Sequence, residues 1–141
     1  MKAVLLFLVV ALFLPSCATV PPGPGGPPVR TVLMPNDLDE REVQYLGQIA
    51  SILQRNGYQP ANRGPAEYKL EFSIETGPVN ADATLRLMSR SGIVAEATGR
   101  DGGPRIIFDR NGVARNAANR CFDEFEPQLR GYRPPVYDSR W

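Results

Sequence analysis

The chain has 141 residues, 16 Lys+Arg against 15 Asp+Glu, two cysteines and no histidine. That length suits one domain of ordinary size, and the balanced charge excludes the basic excess of a nucleic-acid binder. Without histidine the commonest general base and metal ligand are gone, and two cysteines make neither a disulfide-dense scaffold nor a four-Cys zinc site. No cofactor is expected.

Met1-Lys2 is a minimal positive start, and Ala3 to Leu14 is an unbroken apolar run. As a helix it spans about 18 Å, well short of a hydrocarbon core of roughly 30 Å. It reads as a signal-peptide core rather than a membrane span. The run ends in Leu14-Pro15-Ser16-Cys17, which resembles the lipobox of bacterial lipoproteins, with Pro15 at a position where that family usually has Ala, Ser or Thr. The resemblance implies removal of residues 1–16 and attachment of a thioether-linked diacylglycerol and an acylated amine at Cys17. The partner so implied is a membrane, held through a lipid anchor. Ala18 and Thr19 follow the cysteine, in place of the Asp that marks inner-membrane retention in this family. The same resemblance therefore implies the outer membrane, facing the periplasm.

Residues 21–28 read Pro-Pro-Gly-Pro-Gly-Gly-Pro-Pro. Proline favours an extended chain and glycine adds joints, so 17–28 reads as a lipidated cysteine with a tether. Removing the leader takes away Lys2 alone and leaves 15 basic and 15 acidic side chains. A neutral domain has no general pull toward anionic lipid, so whatever it binds is recognised locally.

The folded domain is expected over 29–130, with a flexible tail at 131–141. Val29 to Met34 is a short β-rich run stopped by Pro35. Asp39 and Glu42 have capping-box spacing, and apolar residues from Val43 to Leu53 keep helical period up to Gly57, a C′ glycine. Glu67 to Glu75 alternates strictly, with Tyr68, Leu70, Phe72 and Ile74 on one side. Ala81 to Ser89 and Ile93 to Thr98 alternate again around Arg90-Ser91-Gly92, a hairpin with Ile93, Ala95 and Ala97 inward. Gly99 to Pro104 reads as a loop, and Arg105 to Asp109 as a short strand or the approach to the last helix. Ala114, Ala117, Ala118, Cys121, Phe122 and Phe125 share one helical face, and Pro127 is expected to limit that helix.

The order is β-α-β-β-β-α, an α+β domain with two helices packed on one face of a small, largely antiparallel sheet. This order, with Arg55-Asn56-Gly57-Tyr58, Ala83-Thr84-Leu85-Arg86-Leu87 and Gly92-Ile93-Val94, resembles small proteobacterial envelope lipoproteins. The layout is similar to that of the lipopolysaccharide-assembly lipoprotein that sits inside an outer-membrane barrel. The resemblance implies a fold and carries no functional residues with it.

Catalytic motifs are missing: there is no nucleophile elbow, P-loop or dinucleotide fingerprint. Asp109-Arg110-Asn111-Gly112 looks like part of a calcium loop, but Ile107 stands where an acid is needed, so a helix cap is expected. Arg120 is placed to pair with Asp123 and Glu124. Cys121, among alanines and phenylalanines, reads as a small buried hydrophobe. The function expected is a lipid-anchored envelope lipoprotein acting as a non-enzymatic interaction or assembly module. A small-ligand binder with a pocket between sheet and helices, or a carboxylate-only hydrolase, are the alternatives. If both helices cover one face, the other presents Lys69, Glu71, Ser73, Glu75, Thr84, Arg86, Val94, Glu96 and Thr98. Lys69, Glu71, Arg86 and Glu96 are the candidate partner-binding residues, for an envelope protein.

Overall fold

The computed structural model describes residues 29–133. The leader, Cys17, the tether to residue 28 and tail residues 134–141 lie outside the described residues. Strand β1 (Arg30–Leu33) leads to helices α1 (Glu40–Val43) and α2 (Leu46–Arg55), then strands β2 (Tyr58–Ala61), β3 (Tyr68–Thr76), β4 (Asn80–Ser89) and β5 (Gly92–Gly102). A short 3-10 helix, Pro104–Ile107, precedes helix α3 (Arg110–Gly131). The five strands form one sheet in the order β2-β1-β3-β4-β5. β1 runs parallel to both neighbours over short registers, while β3, β4 and β5 form long antiparallel ladders. The α+β class and the expected order hold, with β2 inserted.

β2 escapes a reading by period because it has four residues and carries Pro60. As an edge strand it needs no ladder bond from Pro60 on its outer side. The first helix begins where expected: the Asp39 carboxylate accepts the N–H groups of Arg41 and Glu42, and the Glu42 carboxylate accepts that of Asp39. It is broken at Gln44-Tyr45, which turns the Tyr45 ring inward against Phe72 and Phe122, with centroids 5.9 and 6.1 Å away. Gly57 closes α2 with φ 81°, the left-handed conformation open to glycine at little cost.

Four expectations are corrected. The segment from Gly99 is strand as far as Gly102 rather than a loop, and residues 104–107 are a 3-10 helix, so that Arg105 to Asp109 is the approach to the last helix and not a strand. Ile93 is 58% exposed, because a register shift at Leu87/Met88 turns it out of the inward alternation. Pro127 does not end α3, which continues to Gly131. Its ring lies on the exposed side, while Phe125 and Leu129 on either side of it are buried. That burial and side-chain clamps offset a loss of about 3 kcal/mol for an interior proline. Accordingly Gly131 belongs to the helix and Tyr132 packs on the core, so neither is tail.

Both helical layers lie on one face. The inner residues Leu70, Leu85 and Leu87 are fully buried with Ile49, Leu53 and Phe125. α3 crosses β5 closely because small residues meet there: Ala117 and Cys121 on the helix, Ala97 and Gly99 on the strand.

Candidate functional site

The period of two that buries Leu70, Leu85, Leu87, Ala95 and Ala97 turns their neighbours outward. Register aligns Glu71 with Arg86 and Arg86 with Glu96, so a charged row crosses three strands. The next row is Ser73, Thr84 and Thr98, and the one beyond it Glu75, Asp82 and Arg100. Long charged side chains thus flank a middle row of short hydroxyls. Val94, expected on this face, is half-buried and packs on the core instead, displaced by the same register shift that exposes Ile93.

The four candidate residues form two ion pairs. Arg86 Nε donates to Glu96 Oε1 at 2.7 Å, and Lys69 Nζ to Glu71 Oε1 at 3.2 Å. Their side chains are 38–61% exposed. Pairs this wet contribute about 0–1 kcal/mol each. A partner can therefore exchange them for its own charges at small cost.

The face is indented. Where β1 ends, the chain leaves the sheet through Pro35, and Asn36, Asp37 and Asn62 wall a groove of about 320 Å³. Its other side is Lys69, Glu71, Ser73, Thr84 and Arg86. Three of the four candidates line it, and Glu96 stands behind Arg86 as its anchor. Buried apolar side chains such as Phe122, Ala117 and Leu85 occupy the layer between sheet and helices. Among the described residues no group of three or more metal-ligating side chains converges.

The outer edge of β5 is closed by side chains. Gln128 Nε2 donates to the Glu96 carbonyl at 2.7 Å, and its Oε1 accepts the Glu96 N–H at 3.1 Å. Arg120 Nη1 donates to the Arg100 carbonyl at 2.6 Å. An edge occupied in this way is a poor template for a further strand. Arg120 therefore does not serve Asp123 and Glu124 as expected. It turns to the sheet, where its guanidinium lies 3.5 Å from Asp101. Arg105 and Asn116 reach the same carboxylate, at 3.2 and 2.9 Å. This cluster ties β5, the 3-10 helix and α3 together, and no local spacing announces it.

Two other expectations hold. Asp109 Oδ1 accepts the N–H of Gly112, so Asp109-Arg110-Asn111-Gly112 is a helix cap. Cys121 is fully buried, its thiol pushed up to about 11 by burial. The folded domain should leave Cys121 unmodified by a maleimide at neutral pH over hours, with rapid labelling appearing in denaturant. Fast labelling of the native protein would contradict the burial.

No family model, curated protein or solved structure matches the chain.

Proposed function

We propose that the protein is a lipid-anchored envelope lipoprotein whose domain docks a protein partner on the open sheet face, without catalysis. The lipobox-like Leu14-Pro15-Ser16-Cys17 supports an anchor at Cys17, and the tether supports a domain held a short way from an outer membrane, facing the periplasm. One observation carries the docking: among the described residues the helices pack on one face, leaving a grooved polar face whose Lys69, Glu71, Arg86 and Glu96 pair with each other and stay exposed. Mixed charge of this kind sets register and partner choice more than raw affinity.

The anchor is tested by labelling cells with palmitate. The wild type should incorporate it and Cys17→Ala should not, whereas equal labelling refutes the anchor. The face is tested by recovering partners from crosslinked envelopes with Arg86→Glu and, as control, Gln48→Glu on the exposed side of α2. Arg86→Glu should lose the partner and Gln48→Glu keep it. Equal recovery by two folded variants refutes the docking face.

A further inference from the structure

The sheet has two ends. β1 and β3 run parallel, so the chain enters from residue 29 at the end where β3 begins. The β3–β4 turn and the last residues of β5 lie at the other end. There Gly103 N–H donates to the Val79 carbonyl at 2.9 Å, joining two turns. These turns expose Val79 by 65%, Ile107 by 75% and Phe108 by 88%. Phe108 is the most exposed of the large hydrophobics among the described residues.

The turn that presents them is held in place. Ile106 is buried, Phe108 and Asp109 N–H groups both donate to the Arg105 carbonyl, and Arg105 itself pairs with Asp101. Adjacent Ile and Phe side chains are thus aimed at solvent by a fixed backbone. From Gly103 to Arg115 the chain carries Arg105, Arg110 and Arg115 against Asp109 alone, whose carboxylate is engaged in the helix cap.

We propose that Ile107 and Phe108 form a wedge that inserts into the interfacial region of a bilayer, with Arg110 beside it at the headgroups. Bulky apolar groups flanked by arginine fit the apolar-below, phosphate-above order of that region, and binding grows with both terms. The choice of a bilayer rests on the anchoring proposed above, because a tether at Cys17 holds the whole domain within reach of lipid. β5 spans about 36 Å. Residues 17–29, extended, reach roughly 40 Å. The tether is therefore long enough for the far end to touch the membrane that holds Cys17. The domain then lies along the bilayer rather than standing on it.

The test uses the chain from residue 17 made without acylation, so that the wedge and the anchor fail separately. The probe is vesicles of phosphatidylethanolamine with about a quarter phosphatidylglycerol, the anionic component. The wild type should co-sediment, and Ile107→Ser/Phe108→Ser should bind at least about tenfold more weakly. Arg110→Gln should weaken binding about fivefold on these vesicles and little on uncharged ones. The substituted side chains are exposed, so the thermal midpoint should stay put. A second measurement is the emission of Phe108→Trp/Trp141→Phe, which should shift to the blue on adding vesicles. Vesicle binding that survives the double serine change, or an emission that does not move, overturns the wedge. So does a wild type that stays in the supernatant, as it would if these side chains met only a protein.

Discussion

Gly99→Ala is expected to destabilise the domain by about 3 kcal/mol or more, beyond the usual range for one added methyl. A Cβ at this position would stand inside contact distance of the Ala117 carbonyl and the Cys121 amide. Both are backbone atoms of α3, so relief means moving the helix off β5. That movement opens the seam where Ala97, Ala117 and Cys121 meet and lets go of the Cys121 contact to the Ala97 carbonyl at 3.2 Å. Gly47→Ala is the matched control: nothing lies within 4 Å of the added methyl, and the site is helical. It should raise stability by about 0.5–1 kcal/mol. Urea unfolding of both variants checks the pair, and a Gly99→Ala protein as stable as wild type would contradict the close packing.

Asp101→Ala is expected to cost about 2–3 kcal/mol, since its carboxylate accepts hydrogen bonds from Arg105 on the 3-10 helix and Asn116 on α3 and also pairs with Arg120 of α3. The Asn116 amide, then the Gly102 N–H and the Arg120 and Arg105 guanidiniums, hold its pKa below the ordinary value against the effect of burial. A folded pKa below the unfolded one binds fewer protons in the native state. The stability it contributes is thus complete above about pH 4 and lost as pH falls through the lower native value. Asp101→Asn removes the titration, so its thermal midpoint should fall less between pH 4 and pH 2 than that of wild type. Glu126, lowered chiefly by its hydrogen bond from Arg55, titrates in the same direction and supplies the remaining slope. Parallel curves for Asp101→Asn and wild type would show that this carboxylate does not drive acid unfolding.

The contrast between legible and hidden features follows the range of the forces involved. β3 and β4 could be read because one buried and one wet face impose a period of two on successive residues. The caps at Asp39 and Asp109 could be read because their bonds span three residues. Candidate residues Lys69, Glu71, Arg86 and Glu96 were placed by the same alternation, and register then aligned Glu71, Arg86 and Glu96 in one row. What stayed hidden depends on distant partners. The Asp101 cluster joins β5 to Arg105 on the 3-10 helix and to Asn116 and Arg120 on α3, and Glu126 meets Arg55 from the far end of α2. Pro127 misleads because local dihedral preference argues for a stop, while Leu129 and the Gln128 clamp on Glu96 hold the next turn. The groove depends on where β1 ends and which strands flank it, and no residue type marks that.

In the function proposed, the open sheet face, and not the helical layer, meets a partner in the envelope. The most direct test is photocrosslinking in living cells, with a benzophenone amino acid at Ser73 or Thr98 on the open face and at Gln48 on α2. All three positions are exposed, so the substitutions should leave the fold intact. Ser73 and Thr98 should give one discrete crosslinked protein and Gln48 none. A discrete adduct from Gln48 with none from the open face would contradict the docking face.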